Sequence, residues 1–262
     1  MSDYKLYNGD CLEVMENLAK DNIKVDLILT DPPYGTTSHK WDEIIPFDDM
    51  WNCIHSLSNE TTPIVLFGME PFSSKLRMSN PKEYRYDWIW EKNMPSNIGI
   101  ARYQPMRYHE IISVFYGKWG QYYKQMIPRS EGGRNRIKYK YEPHVGTNVM
   151  GGGDYTLKYK PDGFSELKNP SSIIKVPRVQ SNSKEKVPHP SQKPVKLLSY
   201  LIKTYTKENQ TVLDFTMGSG STGVACMNLN RNFIGIELEK EYYDIAKERI
   251  ENTLNPKQQK LI

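Results

Sequence analysis

Residues 211–237 constrain the fold more tightly than any other stretch of this chain. Thr211-Val212-Leu213-Asp214 is a short apolar run ending in an acid. Phe215-Thr216-Met217-Gly218-Ser219-Gly220-Ser221-Thr222-Gly223 then reads as a tight turn into a helix that continues through Val224, Ala225, Cys226 and Leu229. Asn232-Phe233-Ile234-Gly235-Ile236-Glu237 is a second strand, which also ends in an acid. Strand, glycine turn, helix and strand make up the working unit of an α/β domain. Glycine lets the backbone approach a ligand closely, and a helix N-terminus offers free N–H groups. No Gly-Lys-Ser/Thr follows, so this is not a Walker loop. The spacing places Glu237 to accept hydrogen bonds from ribose hydroxyls. A plainer reading makes it the cap of the helix over 240–253.

A second constraint stands near the other end. Val25-Asp26-Leu27-Ile28-Leu29-Thr30 reads as a buried strand and leads into Asp31-Pro32-Pro33-Tyr34-Gly35. Two prolines stiffen the turn and remove two backbone donors. They leave a carboxylate, free carbonyl oxygens and an aromatic face at the carboxyl end of a strand, where open α/β sheets bind ligands. That set suits a flat ring bearing an exocyclic NH2: acceptors for its hydrogens and a π-face for its plane.

Strands are expected at 4–8, 25–30, 63–67, 84–91, 110–116, 211–215 and 232–237. Helices are expected at 11–20, 46–58, 71–78, 194–206, 222–230 and 240–253. The aromatic, β-branched pair 84–91 and 110–116 suits an antiparallel edge. In His189-Pro190-Ser191-Gln192-Lys193-Pro194, Ser191 reads as a helix N-cap and Pro194 as a first-turn residue. Asp10, after Tyr4-Lys5-Leu6-Tyr7-Asn8-Gly9, reads as the cap of the first helix. Cys11, Cys53 and Cys226 include no CxxC pair, which argues against a disulfide framework and against a zinc site. No signal peptide and no membrane-length apolar run is seen, so a cytoplasmic location is expected, with no membrane partner.

Thr30-Asp31-Pro32-Pro33-Tyr34-Gly35 resembles the catalytic motif of the DNA amino-methyltransferases, which methylate N6 of adenine or N4 of cytosine using S-adenosylmethionine. The pair Asp214-x-x-x-Gly218-Ser219-Gly220 and Gly235-Ile236-Glu237 resembles the cofactor site of the same family, and His189–Pro194 its segment before the cofactor strand. The resemblance implies a Rossmann-like methyltransferase fold: a mostly parallel twisted sheet, an antiparallel edge and an inserted recognition region. It implies catalytic roles for Asp31, Pro32, Pro33 and Tyr34. It also implies cofactor contacts for Asp10, Asp214, Gly218, Ser219, Gly220 and Glu237. Lys193 or its helix N-terminus would meet the cofactor carboxylate, and Asp10 would lie beside the adenine. In one departure, the family usually has Pro-Phe after the strand acid and this chain has Phe215-Thr216, so no stacking role is assigned to Phe215.

The catalytic motif precedes the cofactor loop, which matches a permuted class of that family. The expected organisation is residues 1–117 as catalytic half, 118–188 as inserted DNA target-recognition region and 189–262 as cofactor-binding half. Net charge is only +4, but residues 118–188 hold fourteen Lys or Arg against six Asp or Glu. There Arg129, Arg134, Arg136, Lys138 and Lys140 interleave with Tyr139 and Tyr141 and are the candidate DNA contacts. Thr36, Thr37, Ser38, Lys40, Trp41 and Asp42 read as a loop over the base or the DNA backbone.

The expected reaction is direct in-line methyl transfer to a flipped base in double-stranded DNA, with no metal and no covalent intermediate. No Pro-Cys dipeptide occurs, which disfavours the covalent cysteine route to C5-methylcytosine. By the resemblance, Asp at position 31 favours adenine over cytosine. An N4-cytosine enzyme, an RNA methyltransferase and a catalytically silent DNA-binding partner are the alternatives. A homodimer and a companion restriction endonuclease are the protein partners this class admits.

Overall fold

In the computed structural model, which describes residues 2–37, 41–133 and 166–254, the run Leu27–Thr30 is buried throughout and lies inside an eight-stranded sheet. A strand with no exposed face needs cover on both sides, which parallel α/β sheets supply. The strands in chain order are β1 (Tyr4–Asn8), β2 (Leu27–Thr30), β3 (Ile64–Gly68), β4 (Tyr84–Glu91), β5 (His109–Phe115), β6 (Ile127–Pro128), β7 (Leu167–Lys168), β8 (Ile173–Lys175), β9 (Thr211–Asp214) and β10 (Asn232–Glu237). The sheet order is β1-β10-β9-β2-β3-β5-β4-β8. From β1 to β3 every pairing is parallel; β5 runs antiparallel to both β3 and β4. One strand that the sequence reading missed, β8, adds to β4 in parallel. It lies within 118–188, the segment read as the inserted region.

The helices are α1 (Cys11–Lys20), α2 (Phe47–Leu57), α3 (Phe72–Ser79), α4 (Val195–Tyr205), α5 (Ser221–Asn228) and α6 (Lys240–Leu254). Strand alternation sorts the core into two layers. Leu27, Leu29, Val65, Phe67 and Val212 pack with Leu197, Leu201, Ala225 and Ala246 of α4, α5 and α6. Ile28, Ile64, Leu66 and Leu213 pack with Met15, Met50, Ile54 and Phe72 of α1, α2 and α3. Each fully buried aliphatic side chain contributes about 1.5–3 kcal/mol.

Local capping sets two of the helix starts. Asp10 Oδ1 accepts from Leu12 N at 2.9 Å and Glu13 N at 3.2 Å, so it caps α1 as expected. The start of α4 differs from expectation. Pro194, in extended geometry, is the N-cap residue and Ser191 lies three positions too early. The carboxylate of Glu185 supplies the acceptor instead, taking Val195 N at 3.2 Å.

The described residues fall into two compact units, one within Met1–Tyr123 and Ser172–Ile262 and the other within Lys124–Ser171. In the second, β6 and β7 pair antiparallel and Arg129 N donates to Glu166 O at 2.8 Å. Among the described residues, no helix is long and apolar enough to cross a membrane.

Candidate active site

Because β2, β3, β9 and β10 are parallel, their carboxyl ends share one edge of the sheet. Asp31 follows β2, Phe215 follows β9 and Glu237 ends β10. The antiparallel β5 begins at that same edge, since Ile111 pairs with Gly68, and this places Glu110 there. A cavity of about 490 Å3 opens on the edge. Asp10, Asp31, Tyr34, Asp214, Gly218 and Glu237 all line it. Residues from both ends of the chain thus face one space.

On the catalytic side, the Tyr34 hydroxyl donates to Asp31 Oδ1 and the Lys193 ammonium pairs with Asp31 Oδ2. Lys193 also lies 3.4 Å from Glu110 Oε2, and Glu110 Oε1 pairs with Lys92 at 3.0 Å. Burial pushes the Asp31 carboxyl above its ordinary value; Lys193 pulls it back, and Glu110 adds to the rise. Burial opposes the Lys193 charge, but Asp31 and Glu110 outweigh it and hold the ammonium above its ordinary value. Burial likewise opposes charge on Glu110, and Lys193 and Lys92 bring that carboxyl below its ordinary value. The Tyr34 ring packs against Phe72, centroids 5.0 Å apart.

Asp42 holds the turn in place. Its Oδ1 accepts from Tyr34 N at 2.7 Å and Gly35 N at 3.0 Å; its Oδ2 accepts from Thr36 N at 2.9 Å and Thr37 N at 2.7 Å. Burial raises the Asp42 carboxyl, yet these hydrogen bonds win and lower it. Gly35 sits at φ 66°, which an L side chain rarely adopts. Asp42 therefore faces inward and organises the catalytic turn. In the sequence it reads as part of a loop over the base or the DNA backbone, with no sign that it anchors the turn.

On the cofactor side, Gly218 and Gly220 have φ of 51° and 74°. A Cβ on Gly218 would meet His189 Nε2 at 2.8 Å, so the His189–Pro194 segment lies directly against the glycine turn. Glu237 Oε2 accepts from Gly218 N at 2.8 Å and Oε1 from Glu239 N at 2.9 Å. Arg249 of α6 donates to Ser219 O at 2.5 Å, bracing the turn from behind. Asp214 is buried among hydroxyls: Thr30 Oγ1 donates at 2.7 Å, Thr222 Oγ1 at 2.5 Å and Thr216 N at 3.2 Å. Burial pushes its carboxyl up to about 6, although those donors pull the other way. Thr216, where the family usually has Phe, lies 2.6 Å from Thr30 Oγ1 and donates to Asp31 O at 3.1 Å. Phe215 is buried at 1% exposure, packs in the α1–α3 layer and also lines the cavity.

Lys193, which with its helix N-terminus is one of two sequence candidates for the cofactor carboxylate, lines the cavity and is paired to Asp31 and Glu110. Arg129 lies in the second unit, half-buried. Arg134, Arg136, Lys138 and Lys140 lie outside the described residues, as do Ser38 and Lys40. Glu110, Lys92 and Arg249 had no sequence signal, because each is an ordinary charge until the fold places it. Among the described residues, no His, Cys, Asp and Glu cluster could hold a metal.

The glycine turn with two left-handed residues, an acid ending the next strand and acceptors beside an aromatic fit an adenosine-bearing methyl donor and a flat amine substrate. That defines the class as an S-adenosylmethionine-dependent methyltransferase. A family model described as DNA methylase matches residues 25–248, and the chain belongs to this family of N6/N4 DNA methyltransferases. The chain is 29% identical to the type II methyltransferase M.HpaI of Haemophilus parainfluenzae, over 97% of this chain and 76% of that protein. It is 27% identical to the type II methyltransferase M2.MboI of Moraxella bovis, over 94% and 87%. The crystal structure of an M1.HpyAVI–SAM complex is 28% identical with a TM-score of 0.62, covering 94% of this chain and 99% of that one. The cytosine-N4-specific PvuII DNA methyltransferase, 15% identical with a TM-score of 0.63 over 97% and 94%, shares the fold.

Proposed function

We propose that the protein methylates the exocyclic N6 amine of adenine at a specific site in duplex DNA, by base flipping and direct transfer. The observation that carries this reading is the adjacency of Asp31 and the glycine turn in one cavity, through the parallel pairing of β2 with β9. S-adenosylmethionine, when bound, supplies an already activated methyl group. The rest is alignment and charge. Tyr34 stacks on the extruded base. The Asp31 carboxylate and the Pro32 carbonyl accept the two amine hydrogens. The amine lone pair is delocalised into the ring, and these acceptors favour a pyramidal nitrogen and stabilise the positive charge that grows on it. Gly218, Ser219 and Gly220 let the backbone close on the cofactor, and Glu237 receives its ribose hydroxyls.

Asp at position 31, where the family's cytosine enzymes more often carry Ser, favours adenine. The rim segment 92–109 supports a duplex substrate. Its Lys92 is buried against Glu110, but it carries Arg102 and Arg107 with no Asp or Glu, and Tyr103 on it is 81% exposed. We assign residues 118–188 to target recognition, with Arg129, Arg134, Arg136, Lys138 and Lys140 as contacts, and a type II restriction endonuclease as companion. The test is to incubate the protein with unmethylated DNA and cofactor, digest to nucleosides and weigh the product. N6-methyladenine supports the reading. N4-methylcytosine overturns the base assignment and keeps the fold and site. No product on varied DNA, with product on RNA or with bound DNA left unmodified, overturns the reading itself.

A further inference from the structure

Both oxygens of Asp31 already have protein donors, Tyr34 OH on one and Lys193 Nζ on the other. The proposed chemistry asks this carboxylate to face an amine on which positive charge is growing. An ammonium clamped on the same carboxylate opposes that charge and uses up the acceptor. Lys193 cannot escape to water, because its side chain is 11% exposed and lies over the Phe67 ring at 5.1 Å. One acceptor is within reach. Glu110 Oε2 is buried, makes no hydrogen bond and lies 3.4 Å from Lys193 Nζ. The other oxygen of Glu110 is pinned by Lys92, itself 3% exposed and 5.6 Å from the Trp90 ring centre. Glu110 thus stands fixed, with its open oxygen toward Lys193.

We propose that Glu110 is a positioning residue that takes the Lys193 ammonium from Asp31 as the target amine enters. The inference rests on the methylation reading above. Asp31, Glu110, Lys92 and Lys193 sum to zero charge, so the transfer moves no net charge into the cavity. Only the balance of the pairing changes: Lys193 is hydrogen-bonded to Asp31 and ion-paired at 3.4 Å to Glu110 before the base arrives, and closes on Glu110 while the amine occupies Asp31. A small rotation of the lysine side chain suffices, because the gap to Glu110 exceeds hydrogen-bonding distance by only a few tenths of an ångström.

The test is single-turnover methylation of unmethylated duplex DNA by wild type, Glu110→Gln, Lys193→Met and the double variant, with cofactor and DNA affinities measured alongside. In Glu110→Gln, Lys193 stays on Asp31. The expected result is a rate about 10- to 100-fold lower with both affinities within about threefold of wild type. In the Lys193→Met background the clamp is gone, so adding Glu110→Gln is expected to cost less than about threefold. Glu110→Asp keeps an acceptor and is expected to recover part of the rate. If Glu110→Gln fails to fold, the comparison of Glu110→Asp with wild type, in both lysine backgrounds, decides. Equal losses in the two backgrounds, or a wild-type rate in Glu110→Gln, overturn the proposal. Wild type that methylates no DNA overturns the methylation reading instead, and the two failures are told apart in the same experiment.

Discussion

Thr30 Oγ1 donates to Asp214 Oδ1 at 2.7 Å, joining two residues 184 positions apart in the chain. Thr30 ends the strand that delivers the catalytic turn, and Asp214 ends the strand that delivers the cofactor turn. Thr216 extends the bridge to the backbone of Asp31 itself. The buried acid therefore locks the two halves of the site to each other, whatever it does for the cofactor.

Thr30→Val removes this link while keeping the shape of the side chain. Asp214 loses a donor in a buried setting, so stability is expected to fall by roughly 1–3 kcal/mol. Urea denaturation measures that loss. Cofactor affinity is expected to weaken with it, because the glycine turn begins at Asp214. Unchanged stability and affinity together would show that the bridge is incidental.

Asp31→Ala takes away the carboxylate that faces the amine. Turnover is expected to drop by at least about 100-fold. Cofactor affinity, measured by calorimetry, is expected to stay near wild type, because the cofactor turn keeps its contacts. A variant that methylates DNA at close to the normal rate would remove Asp31 from the chemistry.

Asp42→Asn tests the anchor of the catalytic turn. The carboxylate accepts four backbone N–H groups, and an amide with a single oxygen cannot accept them all. Hydrogen exchange at residues 34–37 is expected to speed up, and stability to fall by roughly 2 kcal/mol. The rate of methyl transfer is expected to fall more than cofactor affinity. Unaltered exchange at those amides would refute the anchoring role.

His189 gives the acid side of the stability profile. Burial, with Lys193, Lys186 and Arg249 nearby, lowers its pKa from 6.5 to about 4. A base whose folded pKa is lowered contributes stability above its unfolded value and loses it as pH falls through the folded one. The wild type is thus expected to lose stability relative to His189→Gln between pH 6.5 and about 4. Asp214 runs the other way. Its carboxyl is raised to about 6, so its contribution is present at low pH and fades as pH rises toward that value. Thermal melts of wild type and His189→Gln across that range separate the two, since the variant keeps only the second trend.

Much of this architecture was legible before any coordinates. The apolar spacing of Met15 and Leu18 behind Asp10 marks α1, and the glycine turn between two short strands marks the cofactor unit. Those signals are local, carried by side-chain periodicity and backbone freedom within about ten residues. β8 escaped because three residues carry too little periodicity, and the α4 cap because its acceptor, Glu185, lies ten positions from the amide it serves.

By itself, the sequence determined the kind of chemistry: an acid and an aromatic on a stiff turn, and a glycine loop for a nucleoside-bearing cofactor. Only the tertiary structure decided which charges meet. β2 pairs with β9, the reversed β5 carries Glu110 to the same edge, and Lys193 lands on Asp31 rather than apart from it. Strand order and direction are set by how the whole sheet buries its two faces, and no short stretch of residues contains that information.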